Sequence, residues 1–368
     1  MYLKRLRLKN YRLLQDVDVS FQIGMNVLIG KNSTGKSTVL EAIDFLLNNN
    51  NANIPIEEII PYYLKNQQSA QSRIDGFFEM SDMEKKLICS LLDNSNDKNL
   101  IENSHLELIY TKYINKSGKN SNVIPTIQIN GNGISKNNSL LTKVTNSLFP
   151  KLQTNNVLKI ADFEGDNNVQ PLLPINQLNQ MLRHQPFYLN QYLRSILYDI
   201  KQRDIKNFSR IREEILKAYI EMSDLDVEFD PKRAQIQVYF KKSDSDIKIP
   251  LENEGRGIKE FFYLLLTLKN FTDSVILKDE ALTHLHKSLL NDLILAIHDL
   301  KYQMITTSHI KELINALNFG NIIVCRKLDG KATVTNLMQH NDIDKVLEDL
   351  GYPIDSIPEI ENLISSRE

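Results

Sequence analysis

Residues 30–38 place two glycines, a lysine and several hydroxyl side chains at the spacing that phosphate-binding loops use. The stretch reads Gly30-Lys31-Asn32-Ser33-Thr34-Gly35-Lys36-Ser37-Thr38, which fits the P-loop pattern G-x-x-x-x-G-K-[ST]. Glycines in such a loop let successive backbone N–H groups approach a phosphate closely. The lysine reaches the β- and γ-phosphates, and the next hydroxyl binds Mg²⁺. The stretch therefore predicts a site for a nucleoside triphosphate with Mg²⁺.

The residues on either side of this loop have the periodicity that the motif requires. Asn26-Val27-Leu28-Ile29 is a short apolar run typical of a buried strand. After the loop, Leu40, Ile43 and Leu46 recur at helical spacing. A strand, a glycine loop and a helix in this order turn backbone amides and a helix N-terminus toward the phosphates. We predict nucleotide contacts from Asn32, Ser33, Thr34, Gly35, Lys36, Ser37 and Thr38.

A second group of chemically capable residues follows an apolar run much later in the chain. Val275-Ile276-Leu277-Lys278 predicts a strand, and the carboxylates of Asp279 and Glu280 come directly after it. This is the Walker B arrangement, in which Asp279 would hold Mg²⁺ opposite Ser37 and Glu280 would polarise the attacking water. Adjacent residues of a strand point to opposite faces, so this division of roles requires the strand to turn at its end. A solvated acidic pair is the alternative interpretation.

Two further positions are suited to contact an anion. Gly255-Arg256-Gly257 precedes the apolar stretch 261–268, so a glycine loop leads into a helix that is predicted to be buried. An apolar strand over 304–307 ends at Ser308-His309, where an imidazole can hydrogen-bond a phosphate. A histidine at the end of a strand also occurs often as a purely structural residue.

Composition limits the classes of protein to consider. The chain has 368 residues, of which 42% are hydrophobic and 24% charged, with a net charge of −2. These values are ordinary for a globular protein of two or three domains, and they provide no overall basic field for nucleic acid. Cys89 and Cys325 form no metal-binding or disulfide pattern. No apolar run has the length of a membrane span, so we expect a cytoplasmic protein without a membrane partner.

The remaining chain alternates between strand and helix patterns. We expect strands over 2–12, 17–23 and 72–79, a helix over 83–92, a hairpin of 105–114 with 123–129, and a closing hairpin of 322–326 with 332–335. Helical periodicity extends over 189–222 with an interruption near Asp204 and Asn207, and short strands follow over 227–229, 236–240 and 247–249. No long heptad repeat occurs, so no coiled-coil arm is predicted.

The order of these motifs resembles a known family. Asn10-Tyr11-Arg12 followed by the P-loop resembles the N-terminus of ABC-type ATPases of the SMC, RecF and OLD (overcoming lysogenization defect) group. The segment Leu282-Thr283-His284-Leu285-His286 is similar to the D-loop of OLD-type ATPases. The resemblance implies an α/β fold, an ABC-type P-loop ATPase head with a mixed sheet and flanking helices. Residues 1–80 and 230–340 would form this head, 81–229 an inserted lid and helical region, and 341–368 a C-terminal helix and tail.

The resemblance also implies roles for residues outside the P-loop. Arg12 would contact the nucleotide phosphates, although a solvated charge at the end of a strand is the alternative. The Q-loop glutamine that senses Mg²⁺ and the γ-phosphate would be one of Gln67, Gln68 and Gln71, and we assign Gln71 as the metal ligand. His309 would be the switch histidine that reports hydrolysis.

The glycine loop is similar to an ABC signature. Gly255, Arg256 and Gly257 would accordingly contact the γ-phosphate bound by an opposite subunit, which implies a homodimer or a larger even assembly. Three positions depart from the family pattern, because Lys278 replaces an apolar residue and Ala281 and Lys287 replace prolines. The signature-like loop lacks the usual serine and is flanked by acidic Glu252 and Glu254.

Function follows from the resemblance as an expectation. The chain would hydrolyse ATP with Mg²⁺, with catalytic roles for Lys36, Glu280 and His309. The segment 341–351 resembles the helix that joins the ATPase to a Toprim nuclease in OLD proteins, and too few residues follow it for a Toprim domain. This implies a sensor or regulatory ATPase for a separate nuclease or toxin in bacterial anti-phage defence or DNA maintenance, unless the sequence is part of a longer chain.

A stand-alone RecF-like DNA-repair ATPase is the alternative function. It would bind DNA directly through basic and aromatic residues that alternate along 183–212. A charged, solvated helix face explains the same pattern. The residues concerned are Arg183, Tyr188, Tyr192, Arg194, Tyr198, Lys201, Arg203, Lys206, Phe208, Arg210 and Arg212.

Overall fold

The fold was analysed in a computed structural model of the chain. It describes residues 2–47, 59–61, 64, 71–80, 82–90, 106–115, 124–129, 132–133, 157–159, 189–218, 222–243, 247–270, 275–280, 285, 290–291, 293–294, 297, 303–308, 321–328, 331–337 and 348. Within these residues, no helix is both long enough and apolar enough to cross a membrane.

The strands of the described residues form one large sheet and one small sheet. In chain order they are β1 Tyr2–Tyr11, β2 Leu14–Ser20, β3 Gly24–Ile29, β4 Gln71–Glu79, β5 Leu106–Asn115, β6 Ile124–Ile129, β7 Asn132–Gly133, β8 Val157–Lys159, β9 Met222–Asp230, β10 Gln235–Lys242, β11 Lys248–Pro250, β12 Val275–Lys278, β13 Gln303–Thr307, β14 Ile322–Leu328 and β15 Lys331–Asn336. The large sheet has the order β7-β6-β5-β4-β1-β2-β15-β14-β3-β13-β12-β8, and the small sheet has the order β11-β10-β9.

The large sheet has two halves of different character. From β7 to β2 the strands are antiparallel, whereas β14, β3, β13, β12 and β8 pair in parallel in this order. Strand β15 lies between the halves, parallel to β2 and antiparallel to β14. All six residues of β3 are buried, as expected for a parallel strand covered on both faces. Strand β13 lies between β3 and β12. The carboxyl ends of these three strands therefore meet at one edge of the sheet.

Five α-helices and a short 3-10 turn, Leu251–Asn253, accompany these strands among the described residues. The α-helices are α1 Lys36–Leu47, α2 Asp82–Ser90, α3 Leu189–Arg203, α4 Ile205–Ala218 and α5 Arg256–Asn270. The predicted interruption near Asp204 is confirmed: α3 ends one residue before it and α4 begins one residue after it. The Asp204 side chain accepts a hydrogen bond from the Asn207 backbone N–H at 3.1 Å, which caps α4.

Two apolar clusters cover opposite faces of the sheet. Leu28 packs in the cluster that contains the buried side of α1, whereas Val27 and Ile29 pack in the cluster that contains α3, α4 and α5. This division follows from the alternation of side chains along β3. The predicted fold class, a mixed sheet with flanking helices, is confirmed.

Both ends of the described chain contribute to this sheet. The Gln303 side chain, at the start of β13, donates to the Leu3 carbonyl at 2.7 Å and accepts from the Leu3 backbone N–H at 2.9 Å. Asn336, at the end of β15, forms the same kind of reciprocal pair with the Ser20 backbone. These buried and edge contacts fix the first strands to the last.

Some predicted boundaries differ from the structure. Strand β2 starts at Leu14 rather than at residue 17, because Leu14 pairs directly with Tyr11 across a two-residue turn. The helical pattern predicted to reach Met222 ends at Ala218, since β9 begins at Met222 and pairs with β10 over its length. The predicted hairpins of β5 with β6 and of β14 with β15 are confirmed.

Candidate functional site

The P-loop connects the buried end of β3 to the first turn of α1. Gly30 and Gly35 have φ angles of +155° and +104°, and Ser33 adopts a left-handed φ of +62°. A Cβ atom added at Gly30 would lie 2.2 Å from the carbonyl oxygen of Cys325. Only glycine fits here, because the backbone of β14 passes so close to the loop.

The Lys36 side chain folds back onto the start of this loop. Its Nζ donates hydrogen bonds to the carbonyl oxygens of Gly30 at 2.7 Å and Lys31 at 2.9 Å. Burial lowers the pKa of Lys36, and the negative charges of Asp279 and Glu280 are among the groups that oppose this shift. The lysine therefore shares one electrostatic environment with the two carboxylates that follow β12.

Some polar side chains of the loop are buried, whereas others are exposed. The Thr34 hydroxyl donates to the Lys31 carbonyl at 2.8 Å and is buried, so it braces the loop. Thr38 is also buried, within α1. Asn32, Ser33 and Ser37 are exposed, which leaves their polar groups accessible to a ligand.

The two carboxylates are held in a turn at the end of β12. The strand stops at Lys278, and Glu280 has a left-handed φ of +48°. The Glu280 backbone N–H donates to the Thr307 hydroxyl at 2.8 Å, and that hydroxyl donates to a carboxylate oxygen of Asp279. Asp279 and Glu280 can have separate roles only if the strand turns at its end, and this turn is present. Thr307 of β13 contacts both residues.

Arg12 lies beside the helix that follows the P-loop. It has a left-handed φ of +49° and forms an ion pair with Glu41 of α1. Glu41 is four residues after Ser37, so the two side chains lie on the same face of α1. The Nε of Arg12 is buried and has no hydrogen-bond partner among the residues that the structure describes. A buried donor without a partner is uncommon, and it is consistent with a ligand at this position.

Gln71 is the first residue of β4 and is exposed. Its carbonyl oxygen accepts a hydrogen bond from the Asn10 side chain at 3.4 Å, which places it at the sheet edge where β1 ends and Arg12 follows. The other two Q-loop candidates, Gln67 and Gln68, lie outside the described residues. The same is true of His309 and of most of the D-loop-like segment.

The signature-like loop lies at the start of α5. It follows a short 3-10 turn, Leu251–Asn253, and a Cβ atom at Gly255 would meet nothing within 4 Å. Arg256 is exposed and, among the described residues, its side chain forms no ion pair or hydrogen bond. The loop is therefore open toward solvent on the face that carries Arg256.

A family comparison identifies the chain. A family model described as an AAA ATPase domain matches residues 1–314. The chain belongs to this AAA ATPase domain family. A protein of Helicobacter pylori named ATP/GTP phosphatase is 24% identical over 336 residues, covering 86% of this chain and 87% of that protein. The family match shows an ATPase domain, and the P-loop lies within the matched residues.

A second relative matches only a short part of the chain. The DNA replication and repair protein RecF of Halalkalibacterium halodurans is 38% identical over 80 residues, which is 22% of this chain and 20% of RecF. The chain thus matches about one fifth of the length of that RecF protein.

Solved structures share the fold. The SMC head bound to the C-winged helix domain of ScpA superposes with a TM-score of 0.58 at 16% identity, covering 93% of this chain and all of that one. The SMC head domain of Thermotoga maritima has a TM-score of 0.52 at 13% identity, covering 92% of this chain. These likenesses show that the chain shares the fold of SMC head domains.

The sequence did not reveal the supporting roles of three residues of this ATPase. Thr307 was predicted only as part of an apolar strand, and its role depends on β13 lying next to β12. Lys278, noted as a departure from the family pattern, is 3% exposed and lies 3.3 Å from the carboxylate of Glu260. Arg194 is buried and forms an ion pair with Glu252, next to the signature-like loop.

Proposed function

We propose that this ATPase hydrolyses ATP at the P-loop, with the catalytic roles divided among Lys36, Glu280 and His309. The observation that supports this most strongly is the turn after β12, which Thr307 holds through both Asp279 and Glu280. Lys36 binds the β- and γ-phosphates, and Glu280 accepts a proton from the attacking water. Arg12, which directly follows β1, contacts the phosphates, and His309 has the same role in this proposal.

Magnesium fits the oxygen groups of this site. The Ser37 hydroxyl is exposed, and the Asp279 carboxylate is partly exposed at the end of β12. Mg²⁺ usually binds through one or two carboxylates together with phosphate oxygens and waters. We propose Ser37 and Asp279 as ligands, with Gln71 approaching from the edge of β4. The ion neutralises charge on the phosphates when bound.

We propose that two copies of the chain assemble around ATP. The signature-like loop supports this, because Arg256 is exposed and has no ion-pair partner among the described residues. Such a loop contributes a cation and backbone amides to a phosphate held by another copy. Light scattering of the Glu280→Gln variant should show a dimer or larger even assembly with ATP and Mg²⁺. A monomer at every protein and nucleotide concentration would contradict the proposal.

We further propose that the ATPase is a sensor or regulatory subunit, acting in the cytoplasm on a separate nuclease or toxin as OLD-like systems do. The charges of the helical region support an indirect role. Lys201 pairs with Asp226, Arg203 with Asp199, and Arg212 with Asp224. Arg194 and Phe208 are buried. Many of these basic side chains are therefore paired with carboxylates or buried, so they are poorly placed to bind DNA phosphates.

A RecF-like ATPase that binds DNA directly is the second candidate. The identity with RecF over 80 residues favours it. The two functions are separated by purifying the chain from its native host and measuring duplex DNA binding between about 50 and 200 mM salt. Recovery of a nuclease or toxin with the chain, and weak DNA binding without it, is expected. ATP-stimulated, salt-sensitive DNA binding by the isolated chain would contradict the partnered function.

A further inference from the structure

Lys278 and Glu260 form an ion pair inside the protein. Lys278 is the last residue of β12, and its Nζ lies 3.3 Å from a carboxylate oxygen of Glu260 on α5. The side chains are 3% and 6% exposed. Transferring two charges from water is costly, and an apolar pair of similar volume is often as stable at such a position. An ion pair here therefore points to a purpose other than stability.

The pair joins two functional segments over a short path. Arg256 is the first residue of α5, and Glu260 follows four residues later, which places both on one face and one turn apart. Lys278 is directly followed by Asp279 and then Glu280. One helical turn, one ion pair and one peptide bond therefore connect the signature-like loop to the carboxylates at the P-loop.

The other end of the loop is also fixed. Glu252, in the turn before the loop, forms an ion pair with the buried Arg194 of α3. Arg194 additionally donates a hydrogen bond to the Tyr263 hydroxyl of α5 at 2.6 Å. Helix α3 therefore contacts both the turn before the loop and α5 at Tyr263, and the segment between these contacts carries Arg256 and Glu260.

We propose that Lys278 and Glu260 are positioning residues that couple the two nucleotide sites of an assembled dimer. This inference rests on the proposed function, in which the loop of one copy contacts the γ-phosphate held by the other. Engagement of that phosphate displaces the start of α5, and the ion pair carries the displacement to Asp279 and Glu280 of the same copy. Hydrolysis at one site then depends on occupancy of the other.

The test measures the cooperativity of ATP hydrolysis and the melting temperature in variants of Lys278 and Glu260. The double variant Lys278→Met with Glu260→Met replaces both charges by apolar side chains. Its melting temperature should stay close to that of the wild type, and its ATP affinity should stay within about twofold of the wild-type value. The Hill coefficient of ATP hydrolysis should fall from above 1 in the wild type to about 1 in the double variant. Each single Met variant removes one member of the ion pair and keeps the other charge buried, so each should melt at a lower temperature.

A matched control removes a different ion pair. Lys201→Met with Asp226→Leu eliminates a pair between α3 and β9, which does not connect the loop to the carboxylates, and should retain the wild-type Hill coefficient. If the Met double variant melts early, Lys278→Gln with Glu260→Gln replaces it, because the amides keep a hydrogen bond without charge. Undiminished cooperativity in a well-folded double variant overturns the coupling role alone. A wild type that is monomeric, or that hydrolyses ATP with a Hill coefficient of 1, overturns the assembly proposal and this inference with it.

Discussion

At the scale of single residues, the P-loop depends on a position where no side chain fits. A methyl group at Gly30 would lie 2.2 Å from the Cys325 carbonyl oxygen and 2.8 Å from the Thr34 hydroxyl oxygen. The loop must then move away from β14, and we expect Gly30→Ala to destabilise the fold by about 1–3 kcal/mol and to abolish ATP binding. Urea unfolding and titration with a fluorescent ATP analogue measure the two effects.

Gly255 provides the matched control for this substitution. Nothing lies within 4 Å of a Cβ atom there, so Gly255→Ala should change the free energy of unfolding by less than about 1 kcal/mol. Equal destabilisation by the two substitutions would show that the close approach of β14 does not determine the glycine at residue 30.

Lys112 gives the structure a specific pH dependence. Its Nζ donates to the Phe45 carbonyl in the last turn of α1 at 2.7 Å, and burial lowers the pKa of Lys112 to about 8. The unfolded chain, with an ordinary lysine pKa near 10.5, binds more protons than the folded protein between these values. Burial of the charge therefore costs stability below pH 8, and this cost is relieved as the pH rises toward 10.5.

The Lys112→Met variant isolates this effect. The difference in free energy of unfolding, wild type minus variant, should increase between pH 8 and pH 10 with a slope of at most about 1.4 kcal/mol per pH unit. Unfolding in urea at a series of pH values measures it. A difference that stays constant or decreases over this range contradicts the lowered pKa.

The residues that could be identified from the sequence are those whose chemistry depends on local spacing. Lys36 and Ser37 belong to one continuous motif, and Asp279 and Glu280 directly follow an apolar strand. Thr307 could not be assigned in this way, because its contacts with the two carboxylates exist only once β13 lies beside β12. Lys278 was visible as an unexpected charge, but its partner on α5 was not.

At the scale of elements, the parallel neighbours β12 and β13 hold the carboxylates in place. The Thr307 hydroxyl connects the Glu280 backbone to the Asp279 side chain. Thr307→Val keeps the shape of the side chain and removes both hydrogen bonds. We expect kcat for ATP hydrolysis to fall about tenfold or more while ATP affinity changes little, because the P-loop is untouched.

Two neighbouring substitutions make this measurement specific. Thr306 is equally buried, but its hydroxyl contacts only the Thr307 carbonyl, at 3.2 Å, among the hydrogen bonds of the described residues. Thr306→Val should keep kcat near the wild-type value, and Thr307→Ser should recover most of it. A similar loss of kcat in both valine variants would contradict the role of the Thr307 hydroxyl.

Element type was more predictable from the sequence than element boundaries. The interruption at Asp204 followed from a residue that caps helices, and the structure confirms it. The start of β2 at Leu14 was missed because Gln15 and Asp16 interrupt the apolar pattern, and only pairing with β1 extends the strand to them. Met222 continues the helical periodicity of α4, but pairing with β10 determines that it begins a strand.

At the scale of the whole molecule, the chain folds so that segments distant in sequence form one site. Strand β3 follows the first two strands, whereas β12 and β13 lie some 250 residues later and still become its neighbours. The long intervening segment also supplies β5, β6, β7 and β8 to the same sheet. Sequence patterns predicted this class of fold through the order of motifs, but they did not predict that the middle of the chain extends the sheet at both edges.

The most direct test of the central claim, that this site binds and hydrolyses ATP with separate roles for its residues, is the nucleotide retained after incubation with ATP and Mg²⁺. The wild type, Lys36→Ala and Glu280→Gln are each separated from free nucleotide, and the bound ATP and ADP are quantified. We expect Lys36→Ala to retain neither, Glu280→Gln to retain ATP, and the wild type to release ADP and phosphate. Equal loss of bound nucleotide in the two variants, or conversion of ATP to ADP by Glu280→Gln at the wild-type rate, would contradict the account.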